Sequence, residues 1–348
     1  MPTDSSPTEP TTTPAVSPAA PTAPLAPPAI PIKVLVLGGG PDGEREVSIK
    51  SATGIANGLR ERPAFFDVHL EIIDTLTPAQ LKALTGDVII PYLHGPYGEG
   101  GPLQDVLEAD GRPYLGSGPR PARTAMDKVA TKVIALQHGI DTQPFWILNH
   151  NDPVPPCKLP VIIKPVHEGS TLGLHVCMTH QDYRTAVKQI HAEQTHALGK
   201  HPARVYLIEP KIGGASQARE LTVGLLDGEA LPIIEIKPKG GLYDFEAKYI
   251  RDDTLYITDP EISEKVARKV RKASVKLAKA IGCRHIARAD FMLDDEGEVW
   301  LLEINTTPGF TDHSLVPKAA KHAGMSMADL CAKLVAITLR DAKSPLDD

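Results

Sequence analysis

The stretch from Arg288 to Thr311 sets the tightest limits on how this chain can fold. Arg288-Ala289-Asp290-Phe291-Met292-Leu293 and Val299-Trp300-Leu301-Leu302-Glu303-Ile304-Asn305 are rich in β-forming apolar residues, and Asp294 to Glu298 between them supplies turn chemistry. That pattern predicts a β-hairpin. Asp290 then lies on the first strand, with Glu303 and Asn305 on the second, two residues apart and so on one face. Three oxygen donors with no Cys or His among them suit Mg²⁺, a hard cation that takes few protein ligands and keeps positions for water and phosphate. Solvated strand charges are the competing reading. The Thr306-Thr307-Pro308-Gly309 turn that follows at once favours a site.

At 348 residues the chain is long enough for two or three lobes, each with its own core. A formal net charge of −6 argues against a sequence-independent nucleic-acid binder but leaves room for a locally basic phosphate pocket. No apolar run is long enough to span a bilayer. Cys157, Cys177, Cys283 and Cys331 lack C-x-x-C spacing, as expected of buried free thiols in a reducing cytosol. The first thirty residues are dominated by Pro, Thr, Ala and Ser without Lys or Arg, and read as a disordered tail, not a signal peptide.

Taken in order, Ile32 to Leu37 is expected to be a buried strand, Gly38 to Gly43 a glycine turn, and 44–60 a helix. This is the opening of an α/β sheet with its ligand crevice at the strand's carboxyl end. The glycine spacing does not fit a dinucleotide fingerprint. Strands at Val68 to Ile73 and Asp87 to Pro91 extend the lobe, and a short one is expected at Arg112 to Leu115. In the glycine-rich loop from Tyr92 to Pro102, His94 and Glu99 are candidates to orient a polar substrate, a structural role for His94 remaining open.

A helix is expected from Thr124 to about His138. Lys164 ends a buried strand just before Gly169-Ser170-Thr171-Leu172-Gly173, an arrangement suited to phosphate, although not a Walker A loop. Glu209 ends the strand Val205 to Glu209, placed to accept hydrogen bonds from an adenine or ribose. Strands at Arg219 to Leu226 and Leu231 to Ile236 follow, and 240–250 suggests a mobile lid. A helix from about Pro260 to Gly282 has an apolar stripe for the core and a solvated basic face, and a last helix spans about Ser326 to Leu339.

Several blocks carry a resemblance: Glu44-Arg45-Glu46-Val47-Ser48, His94-Gly95 with Gly98-Glu99, Gly116-Ser117-Gly118, Met126-Asp127-Lys128, and Lys164-Pro165 with Glu168-Gly169-Ser170. They continue with Arg219 to Val223, Tyr243-Asp244 with Glu246 to Tyr249, Arg288 with Asp290, Leu302-Glu303 with Asn305-Thr306, Pro308-Gly309, and His313 to Pro317. In this order they make the chain from about 31 to 342 resemble the D-alanine-D-alanine ligases of the ATP-grasp superfamily. The resemblance implies an α/β chain, α+β in its ATP-grasp lobes, with a three-lobe architecture and an N-terminal parallel-sheet lobe. The expected divisions are a tail at 1–30, a substrate lobe at 31–120, a central ATP-grasp lobe at 121–212 and a C-terminal lobe with metal site and lid at 213–345.

It further implies that ATP phosphorylates one D-alanine carboxylate and that the amine of a second D-alanine attacks the acyl phosphate. Lys128, Lys164 and, from the lid, Lys248 would meet the phosphates, and Glu209 and Glu220 the adenine and ribose end. Asp290, Glu303 and Asn305 would hold Mg²⁺, two ions being usual, with Mn²⁺ able to substitute. Glu44 would pair with the first ammonium and join Ser170 and Tyr249 in tying the lid to substrate. Arg288 and the Gly309 N–H would form an oxyanion hole, Ser314 and Leu315 would hold the second carboxylate, and His94 would line the substrate site. A cytoplasmic homodimer is implied, with no nucleic-acid or membrane partner. Gly100, Thr171 and Phe310 depart from the usual Asp, Ser and Met, and the connector 210–218 is long. Two alternatives stay open: a ligase using D-serine or D-lactate as second substrate, and an ATP-binding regulator without catalysis.

Overall fold

The computed structural model describes residues 27–169, 173–197, 204–213, 218–239, 253–311 and 313–343. Most of the expected tail, Ser170 and Thr171, and the expected lid with Lys248 and Tyr249 lie outside the described residues.

The chain begins with β1 (Ile32–Gly39), α1 (Arg45–Arg60), β2 (Phe66–Ile73), α2 (Pro78–Ala83), β3 (Val88–Pro91), α3 (Gly95–Glu99) and α4 (Pro102–Asp110). The three strands form a parallel sheet in the order β2-β1-β3. β1 is apolar on both faces because both are covered: Val34 and Val36 pack with Ala52, Ile55 and Leu59 of α1, while Leu35 and Leu37 pack with Leu81, Leu103 and Leu107. The strand expected at Arg112 to Leu115 contracts to a single bridge between Ile89 and Tyr114, since Pro113 lacks an N–H and positive-φ glycines stand at 111 and 116. The loop after β3 contains two short helices, α3 and α4, each opened by a proline in its first turn.

Next come α5 (Pro119–Met126), α6 (Lys128–Gln137), β4 (Trp146–Ile147), β5 (Val161–Pro165), β6 (His175–Cys177), α7 (His180–Ala197) and β7 (Tyr206–Pro210). The strands pair antiparallel in the order β4-β7-β5-β6. The helix expected from Thr124 is two helices. Asp127 stays extended and its carboxylate accepts from the N–H groups of Val129 at 2.8 Å and Ala130 at 3.0 Å, capping a new helix whose first residue is Lys128.

The remainder comprises β8 (Arg219–Leu226), β9 (Glu229–Lys237), β10 (Leu255–Thr258), α8 (Glu264–Ile281), β11 (Ile286–Leu293), β12 (Val299–Asn305), α9 (Leu315–His322) and α10 (Met327–Lys343). Its antiparallel sheet runs β10-β9-β8-β11-β12. The expected hairpin is β11-β12. Its ladder slips once: Phe291 faces Leu301 and Asp290 faces Glu303, so Leu302 is an extra residue in a β-bulge. α8 starts at the Ser263 cap, stops at Gly282 with φ +89°, and buries Val266, Val270 and Leu277 against Val223, Ala289 and Phe291.

The opposite face of this sheet is partly covered by α9, and one continuous core runs from β1 and α1 through Phe310, α9 and α10 to Leu226, Ile234 and Ile236. The parallel sheet and the five-stranded sheet are thereby packed together, so residues from both can meet in one cleft. No helix among the described residues is long and apolar enough to cross a membrane.

Candidate active site

On the face of the five-stranded sheet turned away from α8, Arg288 and Asp290 of β11 stand opposite Asn305 and Glu303 of β12. Thr222 of β8 flanks Asp290, and Glu220 lies farther along the same face, opposite Met292. Arg288 forks onto Asp290, with Nε donating to Oδ1 at 2.9 Å and Nη2 to Oδ2 at 2.7 Å. Thr222 donates its hydroxyl to Oδ1 at 2.6 Å. A buried carboxylate needs such partners. Asn305 Oδ1 accepts the Thr307 N–H at 2.7 Å, which fixes the turn leading to Gly309.

Cations approach from the central part. Lys128 Nζ donates to the Glu168 carbonyl at 2.6 Å and lies 3.3 Å from Glu303 Oε2, joining α6 to β12. Glu209 is buried between two ammonium groups, Lys164 Nζ at 2.5 Å from Oε1 and Lys132 Nζ at 2.9 Å from Oε2. Burial alone would raise the Glu209 carboxyl, but the two lysines outweigh it and hold it below the usual range. Burial pushes Lys132 down to about 8 in spite of Glu209, with Lys164 adding to the fall. Lys132 also donates to Thr142 Oγ1 at 2.6 Å, and Thr142 donates its hydroxyl to the Leu301 carbonyl at 2.8 Å.

The parallel sheet supplies the third side. Glu44 ends the glycine turn before α1 and is buried, and a Cβ on Gly169 would stand 3.2 Å from its Oε2. Glu44 therefore abuts the loop that carries Ser170. Glu99 accepts the Gly95 N–H at 3.1 Å, and burial, followed by the charge of Glu44, pushes its carboxyl well up. Arg288 and Glu303 also act on Glu99, which puts charges from three parts of the fold within reach of one another. Burial and then Arg288 push His94 down to about 4, leaving a neutral imidazole.

His94 Nε2 lies 3.3 Å from Ser51 Oγ, and the same oxygen accepts the Phe310 N–H at 3.1 Å. Tyr92 donates its hydroxyl to the Pro308 carbonyl at 2.7 Å. Gly309 is thus held between two anchors from the parallel-sheet side. Ser314 Oγ accepts the Thr311 N–H at 2.9 Å, and a Cβ on Gly309 would come within 3.0 Å of it. Leu315 buries its side chain in the shared core at the start of α9.

Residues 146–336 match the family model described as the D-ala D-ala ligase C-terminus. The chain belongs to the D-alanine-D-alanine ligase family. It is 41% identical to the D-alanine-D-alanine ligase of Bordetella petrii over 321 residues, covering 90% of this chain and 94% of that one. The B-type ligase of Chromobacterium violaceum is 36% identical, with 87% and 96% covered. Among solved structures, the D-alanine-D-alanine ligase of Bacillus anthracis complexed with ATP superposes with a TM-score of 0.73 at 26% identity, covering 90% of this chain and 99% of that one.

Within this family member, Glu44, His94, Lys128, Lys164, Glu209, Arg288, Asp290, Glu303, Asn305, Gly309 and Ser314 all belong to the connected set described above. Ser170, Lys248 and Tyr249 lie outside the described residues. No group of three His, Cys, Asp or Glu is gathered as a metal cluster among the described residues. Five contributors were not singled out from sequence: Ser51, Tyr92, Lys132, Thr142 and Thr222. Lys132 had one signal available, as a cation four residues after Lys128, and so on the same helix face, in a mainly apolar run.

Proposed function

We propose that the chain is an ATP-dependent ligase that joins two D-alanine molecules into D-alanyl-D-alanine through an acyl phosphate, for peptidoglycan precursor synthesis in the cytoplasm. The observation that carries this reading is the convergence of Arg288, Asp290 and Glu303, of Lys128 and of Glu44, Glu99 and His94 on one cleft. Phosphoryl transfer asks mainly for positioning and charge neutralisation, which such a cleft supplies.

In this reading Lys128, Lys164 and Lys248 bind the phosphates, and Glu209 and Glu220 take the adenine and ribose end. Glu44 receives the first ammonium, with Ser170 and Tyr249 completing the tie to the lid. Burial and the charge of Glu44 favour the neutral form of Glu99, which eases the repulsion between the two acids. Arg288 and the Gly309 N–H stabilise the oxyanion when the second amine attacks. Ser314 Oγ accepts the Thr311 N–H and lies 3.0 Å from Thr311 Oγ1; with the Thr311 hydroxyl as donor in that contact, Ser314 offers its own proton to the second carboxylate, beside the Leu315 N–H at the start of α9.

Asp290, Glu303 and Asn305 are the proposed ligands of Mg²⁺, as two ions, with Mn²⁺ as a substitute. The donors fit: two carboxylates face each other with an amide on the same face, and all are hard oxygens. Arg288 and Lys128 compensate the acids in this structure, and a divalent cation would take their place on the carboxylates and leave both cations to the anionic substrates. When bound, the metal supplies charge neutralisation at the transferring phosphoryl group. The homodimer belongs to the same proposal and is read by light scattering.

Incubation with ATP, Mg²⁺ and D-alanine, followed by mass spectrometry, tests the reading. ADP with D-alanyl-D-alanine supports it. A product formed only when D-serine or D-lactate is added shifts the second substrate, and ATP binding without ADP release supports the regulator instead.

A further inference from the structure

Glu209 is held by two lysines that differ in what else they can do. Lys164 ends β5 just before the 169–173 loop and keeps 10% of its side chain exposed; Lys132 keeps 0%. Lys132 is also tethered on its far side, through Thr142, to the Leu301 carbonyl, and lies 5.8 Å from the Phe145 ring centre. Thr142 is bridged to Leu301 in β12, two residues before Glu303. Of the two cations only Lys164 can turn towards a phosphate without leaving other buried partners behind.

We propose that Lys132 is a positioning residue for the nucleotide, the permanent counter-ion of Glu209 that frees Lys164 for the phosphates of ATP. This rests on the reading of the cleft as an ATP site. A buried carboxylate requires a cation at all times. With both lysines present, Lys164 can leave Glu209 when phosphate arrives. With Lys132 removed, Glu209 and the phosphates compete for Lys164, and nucleotide binding pays for the separation.

The test uses the full chain as Lys132→Met, Glu209→Gln and the double variant, with ATP binding by calorimetry, KM for each substrate, kcat and thermal melts. Lys132→Met should weaken ATP binding and raise KM for ATP by about 10- to 100-fold, the loss typical of removing the group that orients a ligating side chain. KM for D-alanine and kcat should stay close to wild type. The double variant removes both charges together and should fold; its ATP affinity should return to that of Glu209→Gln alone, because the competitor for Lys164 is gone. Unchanged ATP affinity in Lys132→Met, equal losses for both substrates, or additive losses in the double variant would overturn the proposal. If wild type forms no dipeptide, the ligase reading fails separately, and calorimetry with ATP still decides the role of Lys132.

Discussion

Arg288 holds Asp290 from two positions along the same strand, with one guanidinium nitrogen on each carboxylate oxygen. The grip is planar and two-pronged, and lysine can supply the charge without the fork. Arg288→Lys should therefore lower kcat by about 10²- to 10³-fold, as loss of an oxyanion donor does. Its melting temperature should move little. Arg288→Met leaves a buried carboxylate short of its cation and should also cost about 3–5 kcal/mol of stability, as broken buried pairs do. Steady-state kinetics and thermal melts of the two variants separate the effects; equal kcat in Arg288→Lys and wild type would remove Arg288 from the chemistry.

Glu303 is the carboxylate shared between Lys128 and the proposed metal. Glu303→Gln should raise the Mg²⁺ concentration needed for half-maximal activity by about tenfold or more. A magnesium titration at saturating ATP reads this directly, and a wild-type curve would take Glu303 out of the ligand set.

Gly54 sits in the middle of α1, where alanine is ordinarily favoured by about 0.5–1 kcal/mol. Here a Cβ would stand 2.9 Å from the carbonyl oxygen of Phe310, the residue after Gly309. Gly54→Ala should fail to stabilise the protein and should reduce kcat by displacing the Gly309 N–H. A variant that is both more stable and fully active would show that the 308–310 segment moves freely, contrary to its anchoring by Ser51 and Tyr92.

Acid should destabilise the fold through its buried histidines. His94 and His285 are pushed down to about 4, chiefly by burial, from an ordinary value of 6.5. As pH falls from 6.5 towards 4, the unfolded chain takes up protons that the folded chain refuses, so stability drops across that window. Each histidine contributes on the order of 3 kcal/mol to the drop. Glu99, whose carboxyl burial pushes well up in the fold, works in the opposite sense. His285 has φ +63°, a conformation asparagine tolerates, so His285→Asn should flatten the fall in melting temperature between pH 6.5 and 4. Parallel curves for variant and wild type would refute this role.

The hairpin, the parallel sheet and α8 were legible because their periodicities are local. The break at Asp127 was not, since the apolar pattern continues across it while one carboxylate restarts the helix. Lys128, Asp290 and Glu303 could be picked out from residue type, but their meeting depends on contacts between residues more than a hundred positions apart. Ser51 and Tyr92 stayed hidden for the same reason, as an ordinary helix serine and strand-end tyrosine whose partners are main-chain groups at 310 and 308. Counting by twos from Leu301 would put Glu303 on the buried face with it. Leu302, inserted in the ladder, puts them on opposite faces.

Leu302 has no partner in β11, so β12 could lose or regain a residue there while every other side chain stayed on its own face. What would change is the bend of the strand, and with it the angle at which Glu303 and Asn305 meet Asp290. A change of one residue at this point would thus retune the spacing of the acids while leaving the identity of every side chain in the cleft unaltered.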